Sequence, residues 1–470
     1  MIDRRLDTPG ATSAGGSEPV GGRAAIEFTE RSGLRERNTW KRLLGPIFTS
    51  AASAVVHLVF FFVYFDGALR SGGDTPVYEE LSRGFWTSHG MTLGGTPSAT
   101  YPPVYPAFLA ALAPGSRPGA LLATAQLLVS ASIAGAVYSI ARYWFGGQAP
   151  LFAGILSVVA PQLPFWAGFV LSDTLGIALG IWGVWGVVAA LACAATERKR
   201  NWKTVLLAAV GGILVALAIL TRPLNAPALL FTSGGLFWTV RNGRYWPKWD
   251  AWDSVNRAKL SIVRLGLVFF IAMSLPIAVW TTRNAIEMKA FIPLSTRAGW
   301  QLWQGVLWDL HGRGTVGKDV YYPDEAGGMG EVEADRYLIR RSLSEIQRNP
   351  ARFAQKFSTK VAFLWLPTAP GLGLGMLLSG MYFWVVAGLT AVAVFATPTH
   401  RGVVAFGLGA LGVTVAVGVT ILDPDYRYRL PLLVLLLAPA GCGLEVLWDR
   451  MRRLYSLGAA RGAQHDRTAS

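Results

Sequence analysis

Ten stretches of this chain carry no charged side chain: 43–65, 118–141, 143–172, 174–196, 204–221, 223–240, 265–282, 361–399, 402–422 and 430–444. Most reach the roughly 18 residues a helix needs to cross a hydrocarbon core of about 30 Å. Nothing else in the sequence restricts the fold as tightly. Of the 470 residues only 15% are charged, against about 25% in soluble domains. The expected architecture is all-α and integral to the membrane, with about ten transmembrane helices.

Orientation follows from where lysine and arginine collect, because short cytoplasmic loops are rich in them. Arg35, Arg37, Lys41 and Arg42 place the N-terminus inside. So do the basic loops at Arg198, Lys199, Arg200 and Lys203, and at Arg241, Arg244, Lys248, Arg257 and Lys259. Asp74, Asp173, Arg222 and Arg283 then share the outer face, although they are far apart in sequence. Two large outer segments are expected, 66–117 and 283–360. The second is rich in Arg and Lys, which long translocated loops tolerate. Within it Ile339, Leu343 and Ile346, then Phe353 and Phe357, recur at helical spacing, as in helices lying in the interface.

Pro367 and Pro370 interrupt the run 361–399. The run could hold one crossing or two: a single crossing at 376–396, the preferred reading, keeps Asp423 to Arg429 outside and Arg450, Arg452 and Arg453 inside, whereas two would put the basic tail outside. Residues 1–42 read as a disordered cytoplasmic tail, lacking the apolar core and cleavage pattern of a signal peptide. Residues 43–450 form the membrane domain and 451–470 a cytoplasmic tail. The protein is expected to be multi-pass in the plasma (inner) membrane, with both termini cytoplasmic and its active site on the outer face.

Several function classes fall away. The net charge of +15 is explained by the inner loops, and no nucleic-acid motif accompanies it, so nucleic acid is not an expected partner. Cys193 and Cys442 lie inside apolar runs and read as packing residues, not a disulfide. His57, His89, His311, His400 and His465 lack metal-ligand spacing. Neither a Walker loop nor a dinucleotide-binding glycine motif is present. The absence of an internal repeat counts against a transporter.

The chemistry-bearing residues sit at span ends. Asp74 follows Gly72 and Gly73 just beyond the first span, in a loop those glycines free from helical geometry. A carboxylate there is placed to take a proton from a water-borne acceptor while a lipid-borne partner approaches from the side. The competing reading is a helix cap: Asp74 or Thr75 caps, Pro76 fills the first turn, and Tyr78, Leu81 and Phe85 form one stripe. Asp173 reads as a cap too, or as a second carboxylate binding the acceptor or a divalent cation. Arg222, Arg283, Arg427 and Arg429 each read singly as snorkelling flanks. Together they make a cationic ring suited to a phosphate, with Arg429 and Arg427 foremost. Trp300, Trp303 and Trp308 read as an interfacial belt.

Taken in order, Gly73-Asp74 with Tyr78, Tyr101 to Pro106, Ser172-Asp173, Thr221-Arg222-Pro223, Arg283-Asn284 leading to Ile292–Thr296, and Arg427–Pro431 resemble the GT-C superfamily of membrane glycosyltransferases. The nearest likeness is to the bacterial aminoarabinose transferases and protein O-mannosyltransferases, over most of 45–450. The resemblance implies a polyprenyl-phosphate sugar donor, inversion at the anomeric carbon, and a lipid, glycan or protein acceptor. It makes Asp74 the base and Asp173 a second acidic residue of the site. Tyr78, Tyr101 and Tyr105 become substrate-binding candidates; no cofactor is assigned and no metal ligand is named, a divalent cation being the one cofactor left open. The chain departs from the pattern in having Thr75 where a second acidic residue often follows the first. The rival class is a transporter or flippase of lipid-linked sugars, which needs charges near the bilayer midplane; here they lie at span ends.

Overall fold

A computed structural model describes residues 39–85, 90–113, 119–196, 202–241, 252–307, 326–366, 374–396, 402–420 and 426–469. The chain divides at Gly45/Pro46. Of the first unit only the start of helix α1 (Thr39–Phe65) is described. The second unit, Pro46–Ser470, holds the helical bundle.

Among the described residues eight helices are long and apolar enough to cross a membrane: Leu44–Phe65, Ala120–Trp144, Asp173–Ala194, Trp202–Ile219, Ser261–Glu287, Leu377–Ala396, Val403–Thr420 and Arg427–Leu457. The chain is a multi-pass membrane protein. Arg427–Leu457 and Asp173–Ala194 are the most enclosed, with 78% and 72% of their apolar windows buried, and form the centre of the bundle. Ser261–Glu287 and Leu377–Ala396 bury only 28% and 22% and present apolar flanks such as Ile271, Leu275 and Val385 outward.

In chain order, α1 is followed by β1 (Arg70–Ser71), α2 (Thr75–Gly84), the hairpin β2 (Thr92–Leu93) and β3 (Thr96–Pro97), and α3 (Val104–Leu112). Then come α4 (Ala120–Trp144), α5 (Ala149–Val158), α6 (Gln162–Ala167), β4 (Phe169–Val170), α7 (Asp173–Thr196), α8 (Trp202–Ile219), α9 (Asn225–Arg241) and α10 (Trp252–Glu287). The rest is α11 (Ala298–Leu307), α12 (Glu331–Arg348), α13 (Pro350–Trp365), α14 (Leu374–Ala396), α15 (Gly402–Thr420), a 3-10 turn at Tyr426–Arg429 and α16 (Leu430–Ala469).

Lipid offers helices no hydrophobic reason to associate, so close approach depends on small residues. Gly186 of α7 shows this: a Cβ there would stand 2.9 Å from the Cα of Gly211 in α8.

Three features go beyond the sequence reading. The run 143–172 is not one helix. Gly146 and Gly147, at φ +75° and +53°, end α4, and α5 and α6 follow separately with Pro161 capping the second. Pro161 has no N–H to continue α5. The second is that residues 451–469 of the expected tail are helical, continuing α16 to Ala469.

The third is that the helical fold carries two short strand pairings. β1 pairs parallel with β4, Arg70 opposite Phe169 and Ser71 opposite Val170. β2 and β3 form a two-residue hairpin through Gly94 and Gly95, whose φ of +59° and +78° suit glycine at both central positions. The β1–β4 pairing lays the Asp74 loop beside the segment that leads into Ser172 and Asp173.

Candidate active site

The Asp74 loop is built by Gly72 and Thr75. A Cβ on Gly72 would meet Leu171 Cδ2 at 2.8 Å, so the loop lies close against the residue that follows β4. The Thr75 hydroxyl accepts the Gly72 N–H (2.8 Å) and donates to the Val170 carbonyl (2.8 Å). Asp74 occupies the N-cap position of α2, yet its side chain makes no capping hydrogen bond. Its carboxylate turns away from the helix it precedes.

Three groups meet that carboxylate. Tyr101 donates its hydroxyl to Oδ1 at 2.6 Å. The Arg297 guanidinium lies 3.5 Å from Oδ1 and that of Arg427 3.7 Å from Oδ2. Charge-assisted hydrogen bonds run at about 2.7–2.9 Å, so both arginines face Asp74 without being locked to it. The side chains of Asp74, Arg297 and Arg427 keep 23%, 29% and 22% of their surface exposed. A substrate can reach all three.

Asp173 is placed differently. It begins α7, is buried, and forms an ion pair with Arg222. The Arg222 guanidinium also lies over the Tyr428 ring, 5.3 Å from its centre, while Arg427 lies 5.0 Å from the same ring and donates to the Tyr428 hydroxyl at 3.0 Å. Asp173 and Arg222 thus form the inner neighbour of the Asp74 cluster.

The tyrosines divide in the same way. Tyr101 reaches Asp74 and carries Arg297 over its ring at 4.5 Å. Tyr78 is buried, packs against Tyr101 and Tyr105, and shares a hydrogen bond with Ser172 at 2.9 Å. Burial first, then the Asp74 charge, push its hydroxyl well above the ordinary tyrosine range, which suits a hydrogen-bonding role and not proton transfer. Tyr105 is fully buried and donates to Gln126, whose amide holds the Ala167 and Phe169 carbonyls. It has no surface left for a substrate; it supports the β4 region.

Two expected phosphate ligands are engaged elsewhere. Arg283 donates to the carbonyls of Ser98 (2.9 Å) and Met91 (2.8 Å), pinning the hairpin loop to the end of α10. Arg429, foremost in the sequence reading, is buried and donates to the carbonyls of Phe363 (2.6 Å) and Leu366 at the end of α13. The cause is the 3-10 turn. At three residues per turn, positions two apart point about 120° away from each other, so Arg427 faces Asp74 and Arg429 does not.

The member that sequence reasoning missed is Arg297. It lies one residue past the Ile292–Thr296 stretch, and the only available hint was a basic residue following a polar turn on the expected outer side. Among the described residues no group of three or more His, Cys, Asp or Glu side chains converges. A guanidinium stands beside each of the two carboxylates, Arg222 at Asp173 and Arg297 and Arg427 at Asp74. Trp308, His89, His311 and His400 lie outside the described residues. His57 is buried against Ser53 and Ser130 and reads as packing.

No protein-family model and no curated protein matches the chain. Its backbone is similar to that of ArnT from Cupriavidus metallidurans bound to undecaprenyl phosphate, with a TM-score of 0.50 and 16% identity over 87% of this chain and 63% of that one. It is also similar to the Archaeoglobus fulgidus oligosaccharyltransferase in complex with Zn and sulfate, at TM-score 0.50 and 13% identity over 88% of this chain and 51% of that one. The chain spans less than two thirds of the length of either protein. At such identities the likeness is one of fold alone.

Proposed function

We propose that the chain is an inverting membrane glycosyltransferase that moves a sugar from a polyprenyl-phosphate donor to an acceptor hydroxyl on the outer face of the membrane. The observation that carries the reading is the Asp74 cluster: a reachable carboxylate, uncommitted to its helix, with two guanidiniums beside it at the end of an apolar bundle. The reaction needs those parts. As the acceptor oxygen bonds to the anomeric carbon, its proton passes to Asp74. The bond from that carbon to the phosphate oxygen breaks, and the lipid phosphate leaves with the electron pair. A positioned carboxylate typically contributes about 10²–10⁴ in rate. Fixed cations stabilise the charge growing on the phosphate, a role that falls to Arg427 and Arg297.

On this reading Asp173, Arg222 and Tyr78 support the cluster from behind, Tyr101 orients Asp74, and Arg283 and Arg429 hold the scaffold. The chain crosses the membrane ten times, α5 with α6 and the shorter α9 completing the eight longer helices, and both termini are cytoplasmic. The acceptor is a lipid, glycan or protein bearing a free hydroxyl. The test is to incubate purified protein in lipid nanodiscs with a panel of polyprenyl-phosphate sugars and acceptors, and to measure released lipid phosphate. Release that depends on both donor and acceptor is expected. Vectorial movement of intact lipid-linked sugar, with no phosphate released, would favour a flippase.

A further inference from the structure

Helix α12 turns two acidic side chains, Glu331 and Asp335, inward from one face. Like charges four residues apart repel on an isolated helix, so their shared direction needs a reason. Each is bound by the segment that carries Arg297. Glu331 Oε1 accepts the Thr296 hydroxyl and the Ala99 N–H, the latter at 2.9 Å. Asp335 Oδ1 accepts the Gly299 N–H at 2.6 Å. A Cβ on Gly299 would sit 2.2 Å from the Asp335 carbonyl oxygen, so the approach is a close one.

Arg297 therefore lies between two anchored residues, Thr296 and Gly299, both held by one helix face. The same knot reaches the other side of the site. Thr296 N–H donates to the Ala99 carbonyl at 3.0 Å, two residues before Tyr101. Tyr101 and Arg297, both in contact with Asp74, thus share a single anchor.

We propose that Glu331 and Asp335 are positioning residues that hold Arg297 over Tyr101 and against Asp74, so that α12 sets the geometry of the cationic side of the site. The catalytic consequence rests on the transferase reading; the positioning itself does not. Neither carboxylate touches the reacting atoms on this account. Both act through Arg297.

The test uses the full chain in nanodiscs and undecaprenyl phosphate as the probe. Glu331→Ala and Arg297→Ala are each expected to weaken binding by about tenfold, and the double variant by little more than Arg297→Ala alone, because the two residues belong to one network. Glu331→Gln, which keeps an acceptor oxygen, should restore most of the affinity. Thr296→Val, which removes the hydroxyl without touching α12, should repeat part of the Glu331→Ala loss if that variant folds poorly. Amide hydrogen exchange over 292–300, measured in parallel, should speed up in Glu331→Ala. Multiplicative losses in the double variant, or unchanged exchange over 292–300, would overturn the positioning role. Faster exchange in Glu331→Ala, with wild-type protein that ignores the probe, would uphold the clamp and count against the transferase reading instead.

Discussion

At the residue scale, the site turns on which way neighbouring arginines point. Arg427 and Arg429 are equivalent as sequence, but the 3-10 turn sends one to Asp74 and the other to the carbonyls ending α13. Their substitutions should separate accordingly. Arg427→Ala is expected to slow transfer by about 10², with Arg427→Lys recovering only part, because an ammonium keeps the charge and loses the planar fork. Arg429→Ala should lower thermal stability while leaving donor affinity intact in whatever protein remains folded. Single-turnover rates and melting temperatures for the three variants check this, and a reversed pattern would return Arg429 to the phosphate site. Asp74 was legible because a carboxylate beside two glycines at a span end is unusual. Arg297 was not, because its direction depends on the contacts of Thr296 with Ala99 and Glu331, distant segments whose meeting no local pattern announces.

At the scale of elements, apolar runs predict helices well and their ends poorly. The crossing expected at 376–396 appears as Leu377–Ala396, and the broken run 143–172 as α5 and α6. The two-residue strands were hidden because a β1–β4 pairing of two residues leaves no periodicity to read. Helix α13 shows a charge pattern that only burial explains. Lys356 and Lys360 are buried and donate to the carbonyls of Val306 and Gly305, both at 2.8 Å, at the C-terminus of α11. Positive charge suits the carbonyl end of a helix, and these contacts hold the far end of the helix that follows Arg297. Burial, and secondarily Lys356, bring the Lys360 amine down from 10.5 to about 8. Between those values the folded chain holds it neutral and the unfolded chain protonated, so stability rises with pH across that window. Melting curves from pH 7 to 10 should therefore show wild type gaining on Lys360→Met as pH rises. Parallel curves would contradict the assignment.

At the scale of the whole molecule, the membrane fold was legible and its handling of the site was not. The uncharged runs announced a polytopic bundle, and the fold is shared with ArnT and the archaeal oligosaccharyltransferase. The sequence reading grouped the Asp74 loop with the 3-10 turn before α16; what it could not show is that the turn before α11 joins them through Arg297. The proposed orientation puts all three outside the cytoplasm. Ser71 is exposed, so a Ser71→Cys variant in a cysteine-free background should react with a membrane-impermeant maleimide on intact cells. A cysteine at the exposed Ser456 should react only after permeabilisation, and the opposite pattern would invert the orientation. The account as a whole stands on Asp74 acting as the base. Its most direct test compares wild type with Asp74→Asn in single-turnover release of lipid phosphate from a polyprenyl-phosphate sugar, at saturating donor and acceptor. The account predicts a loss of about 10² or more in rate with the fold preserved, and near-normal turnover by Asp74→Asn would contradict it.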